Sequence, residues 1–482
     1  MDRIAFEHHL TSPQGRGWRP ADAFTSEVGG GACCDTVSIS LATDGQRITG
    51  AGFEAHGCGA ATAAGSAAVA LVRGCSLLEA ARIGPLQIAE ELGGLSPGKL
   101  HAAEVAGDAL ARALGAAARG RGAQEAPAPG DGSRTLVAVS GGVDSAVAAW
   151  LCARKGETVA VTLELWGDPE NDAERSCCSA SAVSQARALA HRMGLAHFTI
   201  DLREEFRAGV VEPFIAGYTQ GETPNPCVGC NGHVRLDAMI ELADRLGCGQ
   251  LATGHYARVE DGLLRTAADP AKDQTYMLSA LSCASLGRMA FPLGELTKPE
   301  VRRIAADAGL PVAAKPDSQD LCFLAGTSRA RFLERHGGFR RRAGEVVDRR
   351  GNVLAAHEGH ELFTVGQRRG TGVASGDAQY VIEKDAELNR VVVGPREALL
   401  TREVTVRGAR LHRDGVTVDR VKLRYRSRPL AARVLEDAPA GHHRTLTLCL
   451  EEPMTGAAPG QLACLMDGEL VVGWAVIAPK LP

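Results

Sequence analysis

Residues 135–145 read Thr135-Leu136-Val137-Ala138-Val139-Ser140-Gly141-Gly142-Val143-Asp144-Ser145. Five uncharged, mostly apolar residues predict a strand buried on both faces, and the apolar stretch 146–155 that follows predicts a helix. Between them stands a glycine turn. At such a strand–turn–helix junction the backbone N–H groups of the helix start face a turn with room for oxygens, which makes an anion cradle. The stretch lacks the Gly-Lys-Ser/Thr ending of a P-loop and the third glycine of a dinucleotide fingerprint, so neither a Walker-type NTPase nor a nicotinamide oxidoreductase fits.

Working outward, strands are expected at 158–163, 197–202 and 250–253 and helices at 181–193 and 236–246. This alternation predicts an α/β fold, a doubly wound parallel sheet with its ligands at the strand C-termini. From about residue 338 the pattern changes to short β runs at 345–348, 379–382 and 390–393. Evenly spaced runs at 416–423, 445–450 and 469–477 predict a C-terminal β-barrel. Upstream, residues 115–133 are rich in Gly, Ala and Pro and read as a flexible linker. Before it a small α+β module is expected, with a strand at 36–41, a capping box from Ser76 to Glu79, and a helix over 99–114 entered through Ser96-Pro97. The expected division is 1–114, linker 115–133, 134–337 for the nucleotide domain, 338–402 for a small β-rich domain and 403–482 for the barrel.

The chain has 482 residues, several domains' worth at roughly 150 each. Hydrophobic residues at 45% and charged residues at 23% support folded cores. Lys plus Arg is 53 against 57 for Asp plus Glu, a net −4, so any attraction to nucleic acid must be local. The longest nearly apolar stretch, 60–72, is too short for a bilayer and is broken by Thr62, Gly65 and Ser66, so no membrane partner is expected. Met1-Asp2-Arg3-Ile4 has no signal-peptide core, and a cytoplasmic protein is expected. In a reducing compartment its 14 cysteines are catalytic, metal-binding or buried rather than a disulfide framework.

Two thiols share a proline-stiffened loop, Thr223-Pro224-Asn225-Pro226-Cys227-Val228-Gly229-Cys230-Asn231, and a third follows Lys315-Pro316-Asp317-Ser318-Gln319 at Cys322. A Cys-x-x-Cys pair alone reads as a redox dithiol, half a zinc site or part of an iron–sulfur site. Cys152, Cys248, Cys283 and Cys449 have only packing to recommend them. The glycine turn resembles the loop of ATP-pyrophosphatases (PP-loop enzymes). With Cys177-Cys178-Ser179, the 252–258 run Ala-Thr-Gly-His-Tyr-Ala-Arg, Lys272-Asp273-Gln274, Phe291-Pro-Leu-Gly294, Leu296-Thr-Lys-Pro-Glu300, the 364–370 run Thr-Val-Gly-Gln-Arg-Arg-Gly and Arg424-Tyr425-Arg426, the chain from about residue 134 resembles the tRNA-specific 2-thiouridylase (MnmA) family.

That resemblance implies ATP- and Mg2+-dependent 2-thiolation of wobble uridine 34 in tRNA, with a cysteine desulfurase or sulfur-relay protein as sulfur donor. It implies Cys230 as nucleophile and Cys322 as acceptor of persulfide sulfur. A uracil C2 carbonyl is a poor electrophile; adenylating its oxygen makes AMP the leaving group, and a second thiol can release a persulfide's terminal sulfur by forming a disulfide. One branch of the family has Asp, a candidate general base, where this chain has Cys227. The other branch links a trio matching Cys227, Cys230 and Cys322 to a [4Fe–4S] cluster, so persulfide relay and cluster-bound sulfide both stand.

The resemblance further places ATP at Ala138, Val139, Ser140, Gly141, Gly142, Val143, Asp144 and Ser145, with Leu163 and Gly254 on the adenine side. It places tRNA at Asn225, Pro226, Cys227, His255, Lys272, Asp273, Gln274, Arg424, Tyr425 and Gln461. Independently, the tail carries nine cations (Arg402, Arg407, Arg410, Arg413, Arg420, Lys422, Arg424, Arg426, Arg428) against Glu403, Asp414 and Asp419, a local basic run suited to phosphates, with Tyr425 as a stacking surface. Residues 1–114 resemble NifU/IscU-type iron–sulfur scaffolds, which implies cluster ligands at Cys33, Asp35, Cys58 and His101; Ala102 stands where a third cysteine is usual, with Cys34 as a substitute. Two rival readings are a PP-loop enzyme acting on a small molecule and an iron–sulfur carrier with a vestigial ATP domain.

Overall fold

The structure, a computed structural model, describes residues 3–29, 34–120, 133–168, 180–317, 321–374 and 377–479. Its centre is a five-stranded parallel sheet in the order Met289–Ala290, Gln250–Ala252, Arg134–Ala138, Glu157–Glu164, Ala196–Asp201. The first strand in sequence, Arg134–Ala138, lies between the second and the fourth, so the winding reverses between it and Gln250–Ala252. In a doubly wound sheet that reversal opens a crevice at the strand C-termini. The glycine turn after Ala138 and residues 253–255 after Ala252 both lie there. Helices Val143–Ala153 and Lys298–Asp307 cover one face, and Leu236–Arg245 packs on the other.

The N-terminal domain is an antiparallel meander of Phe24–Gly29, Thr36–Thr43 and Ile48–His56. It packs against Gly59–Val72, the near-apolar stretch, which is a core helix, and Leu100–Arg119. Ser76 and Glu79 form the expected reciprocal cap, at 3.2 and 2.7 Å. The linker expected from residue 115 begins later: the long helix runs to Arg119, with Ala117 and Ala118 buried, because an alanine-rich run keeps helical order wherever one face is covered. The remaining expected linker residues, 121–132, lie outside the described residues. Nor does the domain stand apart. Its core is continuous with that of the parallel sheet, through Leu114, Phe198 and Ile200 among others.

The small domain is a four-stranded sheet, Val353–His357, Gly344–Val347, Arg390–Gly394, Tyr380–Asp385, around Val346, Val381, Val391 and Val393. In the C-terminal domain Leu400–Leu411, Gly441–Thr455, Leu430–Val434, Arg420–Lys422, Leu462–Asp467 and Leu470–Ile477 form a closed six-stranded barrel, sealed by pairing of its first and last strands. Two expectations shift. The barrel's first strand starts at Leu400, ahead of the expected boundary at 403, and the strand expected over 416–423 shrinks to Arg420–Lys422 because a helical turn, Gly415–Thr417, leaves Val416 in solvent. The hairpin Arg258–Glu260/Leu263–Arg265, unforeseen in so polar a stretch, extends the barrel sheet from the domain of the parallel sheet.

Candidate active site

The turn after Arg134–Ala138 adopts its shape through Gly141, whose φ of +71° is left-handed. Gly142 caps helix Val143–Ala153. Ser145 Oγ accepts from the Ser140 N–H at 3.1 Å and donates to the Gly142 carbonyl at 3.1 Å, bracing the turn from inside. A Cβ at Gly254 would lie 2.7 Å from the Ser145 nitrogen, so only glycine lets the two crevice loops touch. Asp144 faces inward. Its carboxylate accepts from Lys298 Nζ at 2.6 and 2.8 Å and from Tyr256 OH at 2.8 Å.

The sequence motifs contain Lys298 and Lys315 without assigning them a task, and place Lys272 at the tRNA. Lys298 bridges Asp144 and Asp317; Lys272 and Arg302 also hold Asp317, at 2.8 and 2.9 Å; Lys315 donates to the Gly141 carbonyl at 3.0 Å. Burial works against ionisation of Asp317, but the Lys272 and Lys298 ammonium groups outweigh it and hold its carboxyl down at about 2. Lys298 and Lys315 thus bond the turn itself, through Asp144 and the Gly141 carbonyl, while Lys272 and Arg302 gather on Asp317 beside it.

The turn opens on a cleft of about 1860 Å³ that is also lined by Leu163, Leu165, Cys227, Asn231, Cys322 and Tyr425. Cys227 sits in a short helix, Pro226–Gly229, capped by Asn225, whose Oδ1 accepts from the Cys227 N–H at 3.2 Å. Cys230 opens the next, wider π-type turn, Cys230–Arg235, and is 6% exposed. Cys322 starts a short turn whose Phe323 is locked in an aromatic group with Phe206, Phe214 and Phe332. Loop and turn thus present thiols to one cavity from segments about ninety residues apart. Asn231 is a second residue the motifs left without a role. Its amide donates to the Met277 carbonyl at 3.2 Å while its buried Oδ1 has no partner among the described residues, an acceptor beside the thiols.

Of the residues expected at tRNA, Cys227, His255, Lys272, Asp273, Gln274 and Tyr425 line the cleft; Asn225, Pro226, Arg424 and Gln461 stand outside its lining. Several are engaged within the protein. Asp273 accepts from Thr275 Oγ1, Lys422 Nζ and the Ala267 N–H, Gln274 accepts from the Tyr256 N–H, and Gln461 donates to the Thr223 carbonyl at 2.5 Å. Burial lowers His255 to about 3, so it meets any ligand as a neutral ring bonded to Thr253 Oγ1. The basic run is not one face either: Arg407 binds Glu222, Arg413 Asp467, Arg420 Asp419 and Lys422 Asp273, while Arg426 and Arg428 line the cleft.

In the N-terminal domain one oxygen of buried Asp35 lies 3.1 Å from both Cys58 Sγ and His101 Nε2, and the other accepts from the Cys58 N–H at 2.9 Å. Donor atoms of the three lie within 4.8 Å of one another, the one such group among the described residues. The Cys58 thiol and N–H, with His101, overcome burial and hold the Asp35 carboxyl below its ordinary range. Ala102 is fully buried, so its position offers no donor in place of the missing cysteine; Cys34 is exposed in a left-handed conformation, and Cys33 lies outside the described residues, as do Cys177 and Cys178. Burial pushes Cys152 up to about 11 and Cys248 up to about 12, in keeping with packing, but Cys283 is exposed, 3.5 Å from His412 Nδ1.

Residues 4–123 match the family model of the NifU-like N terminal domain and residues 133–326 that of the tRNA methyl transferase HUP domain. Residues 330–395 match the tRNA methyl transferase PRC-barrel domain and 402–477 the aminomethyltransferase beta-barrel domain. The chain is similar to the bifunctional protein NifU/MnmA of Rubrobacter xylanophilus, 44% identical across 98% of this chain and 97% of that one. It is also similar to the tRNA-specific 2-thiouridylases MnmA of Rhodospirillum rubrum, 43% identical over 70% of this chain and 92% of that one, and of Thermus thermophilus, 41% identical over 71% and 94%.

Proposed function

The chain belongs to the tRNA-specific 2-thiouridylase family, in the form that carries a NifU-like domain at its N-terminus, and from that premise we propose how it thiolates uridine in tRNA. The carrying observation is that the braced glycine turn and the thiols Cys227 and Cys322 line one cleft. ATP binds with its phosphates on the 140–145 turn among Lys272, Lys298 and Lys315, and its adenine toward Leu163 and Gly254. Uridine 34, turned out of the anticodon stack at a cost of a few kcal/mol, enters beside Cys227, with the Asn231 Oδ1 placed to accept its imino N–H. The C2 oxygen attacks the α-phosphorus and pyrophosphate leaves; sulfur then adds to C2 and AMP departs with the oxygen. Both oxygens of Asp144 already accept hydrogen bonds, so the turn offers no open carboxylate to Mg2+, and no step is assigned to it.

The sulfur route follows from the donor set. Residues 225–231 contain two thiols and no carboxylate, which suits an all-sulfur ligand set rather than a general base. Cys227, Cys230 and Cys322 would hold a [4Fe–4S] cluster, which supplies an iron able to carry sulfide to the base. A sulfide donor keeps the exchange redox-neutral; a persulfide on Cys322 would instead leave a disulfide with Cys230 that an external thiol must reduce. Asp35, Cys58, His101 and Cys33 are assigned to iron–sulfur assembly in the N-terminal domain, with a cysteine desulfurase or sulfur-relay protein as the upstream source.

Full chain purified anaerobically, given ATP, sulfide and unmodified tRNA, should form 2-thiouridine at position 34 by nucleoside mass spectrometry. Failure to consume ATP with tRNA present would favour an iron–sulfur carrier, and ATP cleavage indifferent to tRNA a small-molecule enzyme. Cys227→Ala separates the sulfur routes. Thiolation should be lost with it, and undiminished turnover returns the mechanism to a persulfide relay.

A further inference from the structure

Strand Ala196–Asp201 is an edge of the catalytic sheet, and an uncovered edge offers its backbone groups to solvent or to other chains. Here the N-terminal domain covers it. The His197 N–H donates to the Ala81 carbonyl at 2.9 Å, and His191 Nε2 lies 3.1 Å from the same oxygen. Helix Leu100–Arg119 lies so close to the strand that a Cβ on Gly115 would collide with the Thr199 carbonyl. Ion pairs fasten the contact: Asp108 with Arg187, Arg119 with Glu205, and Arg112 with Glu164.

The last pair differs from the others in what it touches. Arg112 donates through Nε at 3.0 Å and Nη2 at 2.5 Å to one oxygen of Glu164, whose side chain is 7% exposed. Glu164 is the final residue of its strand, and its two neighbours, Leu163 and Leu165, line the cleft. A carboxylate buried this deeply stays in place only while its cation does; without it, the charge must find water or a proton, and the backbone that carries it moves.

We propose that Arg112 of the N-terminal domain is a positioning residue for the nucleotide: by pairing with Glu164 it fixes the strand end that presents Leu163 and Leu165 to the cleft. The domain thereby supports one wall of the nucleotide cleft from behind, without lining it. This rests on the nucleotide reading of the cleft given above.

The test uses the full chain, with ATP affinity from calorimetry and KM and kcat measured separately for ATP and tRNA. Arg112→Ala is expected to weaken ATP binding about tenfold and raise the KM for ATP, with the KM for tRNA and kcat within about twofold. Arg112→Lys, one charge without the fork, should recover most of the affinity, and Arg112→Ala with Glu164→Gln should recover part of it because no buried charge remains. Should Arg112→Ala fail to fold, Arg112→Lys carries the test through a smaller loss of ATP affinity. A folded Arg112→Ala, or failing that Arg112→Lys, with wild-type ATP affinity overturns the proposal. So does an equal loss toward tRNA. Wild-type chain that binds no ATP rejects the nucleotide reading itself, a distinguishable result.

Discussion

In the N-terminal domain Asp35, Cys58 and His101 hold their donor atoms within 4.8 Å by bonding to one another, whereas Cys227 and Cys322 line a cleft of about 1860 Å³ from separate turns and Cys230 is buried behind its wall. The contrast follows from what each must admit. A buried carboxylate needs partners at once, so the Asp35 group is assembled from its own side chains. The thiol site, on the function proposed here, takes in a nucleotide and an extruded base, and so cannot close on itself. Its order comes from behind: the Asn225 cap, the aromatic packing of Phe323, and the barrel's contacts through Gln461–Thr223 and Arg407–Glu222.

If the division of labour is real, the largest effect falls on one side only. Cys230→Ser and Cys322→Ser should each lower thiolation at least about a thousandfold with ATP affinity unchanged, since loss of a thiol that serves sulfur delivery leaves the nucleotide contacts intact. Cys58→Ala, supplied with excess sulfide, should stay within about twofold of wild type while losing iron at the N-terminal site. Equal loss from Cys58→Ala would break the comparison and make the two sites one relay. Next in size, Lys298→Ala leaves Asp144 without its buried cation and should reduce kcat/KM for ATP about a hundredfold, with tRNA affinity measured by filter binding unaltered.

How much of this could be read beforehand depends on whether the signal was local. The strand–turn–helix at 135–153 and the Ser76–Glu79 cap are decided by neighbours in sequence, and both appear as expected. The Lys298–Asp144 and Lys315–Gly141 contacts join residues over 150 positions apart, so their motifs were visible and their task was not. Docking of the N-terminal domain left a fainter trace still: Gly115 reads as the start of a flexible linker, yet it is glycine because a strand lies against it. The same composition serves flexibility and close packing, and only the partner distinguishes them.

That docked interface also predicts a pH dependence. Burial lowers His191 to about 4 and drives His197 well below its ordinary value, with Arg187 adding to both. Thr162 Oγ1 donates to the Val139 carbonyl, so it accepts from His197 Nε2–H and leaves Nδ1 as the buried, unpartnered position a second proton would occupy. Both rings therefore take up protons in the unfolded chain first. Stability is full above about pH 6.5 and falls as the pH drops below it, by about 1.4 kcal/mol per pH unit for each histidine. Thermal melts from pH 7 to 5 should show this slope, reduced in His197→Gln, which keeps a donor for Thr162. A flat profile would mean that the two rings titrate alike in the folded and unfolded chain, so that the interface does not shield them.

The smallest effect is expected at the exposed rim. Arg424 spends one guanidinium nitrogen on the carbonyls of Thr455 and Gly456 while the residue stays exposed. A single phosphate contact there supplies affinity without sequence information. Arg424→Ala should thus weaken tRNA binding only a few-fold and reduce the magnitude of the salt-dependence slope by about 0.7 to 0.9, with kcat untouched. Arg112→Ala, which acts on the nucleotide, should leave that slope unchanged. An Arg424→Ala slope equal to wild type would show that the arginine braces the barrel loop at 455–456 rather than touching RNA, and would move the phosphate contacts to Arg426 and Arg428 on the cleft wall.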